Sequence, residues 1–191
     1  LHTSDIVGAE GEPRGEHIYD LVREGDTIVV QVVKDPLGSK GARLTGQLSL
    51  SARYLVYLPA GDHVGVSQKI EVDEERKRLQ GLLREALSGE SMPARGSYIL
   101  RTAAELADDE SLASDIKYLN RLWQNITNTN DVKPGNVVHK DLPLYLRVLR
   151  DMVDEDLDVI RVDSRETSNI MLEFAQKYVP EVADFIEHYP G

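Results

Sequence analysis

Cysteine is absent from the 191 residues, which excludes a disulfide framework and any thiolate metal site within them. A reducing cytoplasm fits that absence. No run of eighteen or more apolar residues occurs, so the sequence offers no membrane-spanning helix. The opening Leu1-His2-Thr3-Ser4-Asp5 has neither the basic stretch nor the apolar stretch of a secretory signal, and no initiator Met. A processed chain or a piece of a longer one is expected. Positive charge is in deficit: 22 Lys and Arg stand against 33 Asp and Glu, a net charge of −11. A general nucleic-acid coat is therefore not expected, because phosphate contacts need clustered Lys and Arg. There is no internal repeat and no low-complexity tract.

What is present fits a globular protein: 41% hydrophobic and 29% charged residues, at a length that allows one or two small domains. The charge is uneven. Residues 27–57 carry Lys34, Lys40, Arg43 and Arg53 against Asp35 alone, while residues 101–191 hold 10 basic and 18 acidic side chains. An anionic polymer would meet a small basic site on an otherwise repelling body, which favours end recognition over indiscriminate affinity.

Residues 27–33 are β-branched and predict a strand, and the turn-rich Asp35-Pro36-Leu37-Gly38-Ser39-Lys40-Gly41 follows. Further strands are expected at 42–50 and 53–58, an all-β pattern consistent with part of a small barrel. The period then changes. Leu79, Leu82, Leu83, Ala86 and Leu87 share one face of a helix over 73–88. A strand at 97–102 precedes a helix at 108–127 with Leu112, Ile116, Leu119, Trp123 and Ile126 as its buried stripe. A short strand at 136–139, a helix through Leu144, Val148, Leu149 and Met152, a strand at 158–162 and a helix at 166–178 complete the series. The chain thus divides into a β-rich start (1–46), an α/β middle (47–145) and an α/β tail (146–191). The first piece is short for a complete barrel and the last short for an independent sheet.

Six segments stand out in order: residues 29–45 around the glycine turn, Arg53-Tyr54-Leu55-Val56-Tyr57-Leu58-Pro59, His63-Val64-Gly65-Val66-Ser67-Gln68-Lys69-Ile70, Ile99-Leu100-Arg101-Thr102-Ala103-Ala104-Glu105, Ile160-Arg161-Val162-Asp163-Ser164-Arg165 and Glu187-His188-Tyr189-Pro190-Gly191. Together they resemble the ribonuclease E/G family over the whole length, with weaker matches at 8–20 and 127–140. The resemblance implies an α+β chain: residues 1–46 as a partial S1 (OB-type) β-barrel, 47–145 as an α/β 5′-sensor domain, and 146–191 as part of an RNase H-like α/β domain. It implies a parent that is a homo-oligomeric, cytoplasmic endoribonuclease acting in rRNA processing and mRNA turnover. Such a parent cleaves single-stranded RNA with magnesium and prefers a 5′-monophosphate, with zinc at an inter-subunit link. The family's magnesium-binding aspartates and zinc-linking cysteines match nothing up to Gly191, so no catalytic or metal residue is expected here, no cofactor is expected to bind these residues, and cleavage by them alone is not expected.

The same resemblance assigns the terminal phosphate to Arg101 and Thr102. A guanidinium offers a planar fork of donors to two phosphate oxygens, and a hydroxyl adds a third. Val56 is implied at the pocket wall, with Gln68 and Lys69 on the facing loop. Where part of the family has arginine, this chain has the uncharged Gln68, so either it or Lys69 makes that contact. A closed ring of donors would accept a monophosphate and exclude the longer triphosphate. Lys34, Lys40 and Arg43 flank the glycine turn and suit an RNA backbone, although the aromatics that would stack on bases lie before Leu1 in the family.

Plainer readings stand beside these. Thr102-Ala103-Ala104-Glu105 also reads as a capping box. Gln68, Lys69 and the basic turn also read as solvated loop. His2, His17, His63, His139 and His188 have no metal-ligand spacing. The acidic run Asp154-Glu155-Asp156-Leu157-Asp158 reads as a solvated face rather than a metal cluster, Asp163 with Glu166 as a helix cap, and Trp123 as core. A self-sufficient metal hydrolase and a non-catalytic assembly module are the alternatives to an RNA-end sensor.

Overall fold

The computed structural model describes residues 1–6, 17–88, 96–128, 132–152 and 157–191. They fall into two compact units, Leu1–Ala113 and Ser114–Gly191. The class is mixed α and β.

The first unit opens with a 3₁₀ turn, Thr3–Asp5, and one turn of helix, α1 (Ile18–Leu21). The expected β-rich start is therefore partly helical. Strands β1 (Gln31–Lys34) and β2 (Arg43–Thr45) form a two-stranded antiparallel hairpin, with an irregularity between Val32 and Lys34. The strand expected at 27–33 is thus displaced toward its C-terminal end, because it exists only where β2 supplies hydrogen-bond partners. The expected strand at 42–50 is broken as well. It splits into β2 and β3 (Leu50–Ser51) around a bend at Gly46 and Gln47.

Strand β4 (Leu55–Leu58), β5 (Val64–Val66), α2 (Asp73–Leu87) and β6 (Ser97–Leu100) complete the unit's main sheet, ordered β3-β4-β6-β5. β4 lies antiparallel to β3 and β6, whereas β5 runs parallel to β6. The β5-α2-β6 crossover is the connection that a parallel pair requires. α2 forms because its apolar residues recur at 3.6-residue spacing and three acidic residues occupy its first turn. Its Leu79 and Leu83 are fully buried, as are Leu55, Tyr57, Tyr98 and Leu100 of the sheet. Along β4, Leu55 and Tyr57 point into the core while Val56 and Leu58 stay half-exposed. Gly96 has φ +156°, and a Cβ there would overlap the Tyr57 ring. Only glycine suits that approach.

Beyond β6, Thr102–Leu106 forms a 3₁₀ run and α3 (Asp109–Thr127) follows. The Asp108 carboxylate accepts from the Ser111 backbone N–H at 2.8 Å and caps α3, a bond that lowers its pKa. Leu112, Ile116 and Leu119 are buried as expected, but Trp123 and Ile126 are half-exposed, and Tyr118 and Leu122 take their places inside.

In the second unit, Tyr118 packs with Phe174 and Tyr178 of α5 at centroid distances of 6.5 and 6.0 Å. Arg121 donates to the Tyr178 carbonyl at 2.7 Å and Asn125 to the Tyr178 hydroxyl at 3.0 Å. The expected strand at 136–139 is absent. Pro134 and Gly135 make a turn there with Gly135 at φ +89°, and no described strand pairs with the segment. α4 (Leu144–Asp151) buries Leu146 and Leu149. β7 (Ile160–Val162), α5 (Arg165–Tyr178) and β8 (Ile186–His188) form a second parallel crossover, β7 pairing with β8. Ser164, not Asp163, caps α5. Because β7 ends at Val162, Ser164 falls at the cap position and its Oγ accepts from the Thr167 N–H at 3.2 Å.

Candidate functional site

β5 and β6 run parallel, so their carboxyl ends emerge side by side. Open parallel sheets bind ligands at such ends. The Ser67 N–H donates to the Leu100 carbonyl at 2.8 Å and carries the pairing one residue past β5. A turn at Ser67–Ile70 follows, closed by Ile70 N–H to Ser67 O at 3.2 Å and Lys69 N–H to Ser67 Oγ at 3.3 Å. On the β6 side the chain leaves the sheet at Arg101 and turns at Thr102. Between the two exits lies an open depression of about 240 Å³, lined by Ser67, Lys69, Ile99, Leu100, Arg101 and Thr102. Its volume is below the roughly 300–1,000 Å³ of pockets that enclose whole small molecules, which suits an end group.

Arg101 is exposed but anchored. Its Nη1 donates to the Ala52 carbonyl at 2.6 Å and to the Arg53 carbonyl at 3.1 Å, and its own N–H donates to Tyr54 O at 2.8 Å. The side chain thus lies against the turn that leads into β4. Among the described residues neither Nε nor Nη2 has a partner and no carboxylate forms an ion pair with it. Arg101 also stands at the cap position of the 3₁₀ run, where Ala104 N–H donates to Arg101 O at 3.0 Å. The expected capping box on Thr102 is therefore not formed. The register starts one residue earlier, and Thr102 Oγ1 makes no hydrogen bond among the described residues. The Arg53 guanidinium rests over the Tyr54 ring at 4.8 Å.

The structure brings Arg101, Thr102 and Lys69 into one depression. Gln68 is exposed on the same turn without lining it. Val56 sits opposite Ile99 in the β4–β6 register, one strand away from the lining. Lys34, Lys40 and Arg43 are exposed on the β1–β2 hairpin, with Lys34 directly across from Arg43 and Lys40 in a tight bridge to Leu37. The sequence motif places Ser67 in the loop at this end without singling it out, and nothing in it marks Ala52 and Arg53 as the carbonyl anchors of Arg101. Those partners lie 48 and 49 residues away, and no local spacing announces them.

The acidic run at 154–156 lies outside the described residues. Among the described residues no three His, Asp or Glu side chains gather closely enough to hold a metal ion. His63 is used structurally: its Nδ1 lies 2.9 Å from the Oγ of fully buried Ser97. No helix among the described residues is long and apolar enough to cross a membrane.

Comparison with known proteins bears on this geometry. The model of the ribonuclease E/G family matches residues 49–191. Ribonuclease G of Escherichia coli (strain K12) is 44% identical over all of this chain and 40% of its own length. Ribonuclease G of Haemophilus influenzae is 41% identical with the same coverage, and ribonuclease E of Nostoc sp. is 33% identical over 86% of this chain and 23% of its own length. The chain spans about two-fifths of the length of the ribonuclease G proteins it matches. The extent of the family match and these identities together establish that the chain belongs to the ribonuclease E/G family.

Proposed function

We propose that these residues form the RNA-binding, 5′-monophosphate-sensing part of an endoribonuclease. The observation that carries the reading is the depression at the ends of β5 and β6, where Arg101, Lys69, Ser67 and Thr102 offer donors and Arg101 has no carboxylate partner among the described residues. In a chain of net charge −11, unneutralised cations at one spot select for an anion presented at a point. A terminal monophosphate offers about two negative charges and several free acceptor oxygens, which matches a guanidinium fork with neighbouring hydroxyls. The preferred substrate is then single-stranded RNA with a 5′-monophosphate. A triphosphate places its outer phosphates beyond the depression.

In this reading residues 1–46 are part of an S1-type domain whose hairpin cations Lys34, Lys40 and Arg43 follow the RNA backbone. Residues 47–145 are the sensor, with Gln68 on the turn beside the depression and Val56 one strand away across from Ile99, and residues 146–191 belong to an RNase H-like domain. Magnesium-dependent hydrolysis, in rRNA processing and mRNA turnover, is assigned to other parts of a cytoplasmic, homo-oligomeric parent. No step through a metal is assigned to the residues described here. The test is titration of one single-stranded oligoribonucleotide with either a 5′-phosphate or a 5′-hydroxyl against this chain. Tighter binding of the phosphorylated form is expected, and equal affinities would remove the sensing role.

A second reading, an assembly module, has one observation in its favour. Val32, Val33 and Leu37 of the hairpin are 55%, 51% and 80% exposed. Exposed apolar strands invite pairing with another chain. Concentration-dependent sedimentation, without preference for the 5′ phosphate, would favour it.

A further inference from the structure

Arg76 is half-buried in the first turns of α2, and it is committed to three backbone carbonyls. Nη1 donates to Ser67 O at 2.7 Å and to Ile70 O at 2.9 Å, and Nη2 to Val66 O at 3.4 Å. These carbonyls belong to the end of β5 and the turn that follows, the segment carrying the lining residues Ser67 and Lys69. No carboxylate among the described residues pairs with Arg76. Its neighbour Glu75 is engaged by Arg78, at 2.8 Å from Nε and 2.6 Å from Nη2.

We propose that Arg76 is a positioning residue for the phosphate site, fixing the Ser67–Ile70 turn so that Ser67 and Lys69 face the anion. The proposal rests on the reading of the depression as a 5′-phosphate site. Carbonyl partners hold a guanidinium in place without cancelling its charge, whereas a carboxylate would cancel it. Arg76 therefore shapes the turn and leaves a positive charge behind it. The opposite wall is built alike: Arg101 is held by Ala52 O and Arg53 O. Two guanidinium groups thus brace the two exits from the sheet, each through backbone carbonyls alone. A planar fork reaches three carbonyls in fixed directions, and an ammonium group does not.

The experiment measures the affinity ratio of 5′-phosphorylated to 5′-hydroxyl oligoribonucleotide for the wild-type chain, Arg76→Gln, Arg76→Lys and Arg101→Ala, with thermal melting of each. Arg76→Gln lowers the ratio about tenfold and leaves 5′-hydroxyl affinity within about twofold of wild type, as expected for losing one charged set of hydrogen bonds. Arg76→Lys lowers it less. If Arg101→Ala abolishes the preference and folded Arg76→Gln keeps it, the role of Arg76 is overturned and the sensor reading stands. If both affinities fall equally in Arg76→Gln, the residue is only structural and the proposal fails. A wild-type chain with no preference overturns the sensor reading, and this inference with it. Should Arg76→Gln not fold, Arg76→Lys decides: a lowered ratio supports the role and a wild-type ratio overturns it.

Discussion

Nη1 of Arg101 lies 2.6 Å from the carbonyl oxygen of Ala52, 49 residues earlier in the chain. That bond ties the exit of β6 to the turn entering β4 and leaves Nε and Nη2 without partners among the described residues. A guanidinium anchored by one nitrogen loses less freedom on meeting a ligand than an unanchored one, because its rotamer is already chosen.

Arg101→Ala is therefore expected to remove the preference for a 5′-phosphate, at a loss on the order of 1.5–3 kcal/mol for a charged hydrogen-bonding group. The fold should survive, since the side chain is exposed. Paired titrations with 5′-phosphate and 5′-hydroxyl oligonucleotides, alongside circular dichroism, read both quantities. Equal discrimination by variant and wild type would reject the assignment.

Lys40→Ala addresses the hairpin instead. Lys40 is exposed and closes a tight turn through backbone bonds of 3.0 Å in both directions with Leu37, so its side chain is dispensable for the turn. Removing one phosphate contact should weaken binding equally for both 5′ ends and flatten the salt dependence, by about 0.7 in the slope for single strands. Affinity measured across a salt series checks this.

Elements with enough residues to show a period were legible in the sequence. The leucines of α2, the alternation of β4 and the Leu112, Ile116 and Leu119 part of the α3 stripe each follow from local spacing, whereas Trp123 and Ile126 do not hold the buried places expected of them. β5 and β8 were not legible. Each has three residues, too few for alternation to register, and each exists because a parallel neighbour, β6 or β7, supplies its hydrogen bonds. The site divides the same way. Arg101, Thr102 and Lys69 came from motif resemblance and share the depression. The carbonyl clamps at Ala52, Arg53, Val66, Ser67 and Ile70 did not, because a backbone acceptor carries no residue-type signal. At Thr102 a local rule misled: the Ser/Thr-x-x-Glu pattern is present, but the helical register begins at Arg101 and the box has no partner to close on.

Leu83→Ala tests what supports the site. Leu83 is fully buried on α2, the helix that packs against β5 and also carries Arg76. Truncation should cost about 2–5 kcal/mol, the lost transfer energy plus a cavity. Urea unfolding gives the value. A change under about 0.5 kcal/mol would mean that α2 does not pack on the sheet as described.

The tyrosine pair in the core is expected to contribute to a loss of stability at alkaline pH, alongside Tyr118, whose phenol pKa is also raised by burial. Tyr57 and Tyr98 are directly cross-strand, with ring centroids 5.0 Å apart. Burial pushes the Tyr57 phenol up to about 12. Burial also raises that of Tyr98, and the neighbouring Tyr57 adds to the rise. Both folded-state values exceed the ordinary value of about 10, so the unfolded chain loses these protons first. Their stabilising effect is complete below about pH 10 and is lost as pH climbs through 12 and beyond. Urea midpoints should stay level up to about pH 10 and then fall. Tyr98→Phe should flatten that fall. Near neutral pH it should leave stability unchanged or raise it by roughly 1 kcal/mol, because the buried Tyr98 hydroxyl has no hydrogen-bond partner among the described residues. A Tyr98→Phe variant with the wild-type alkaline slope would show that this phenol does not contribute to the transition.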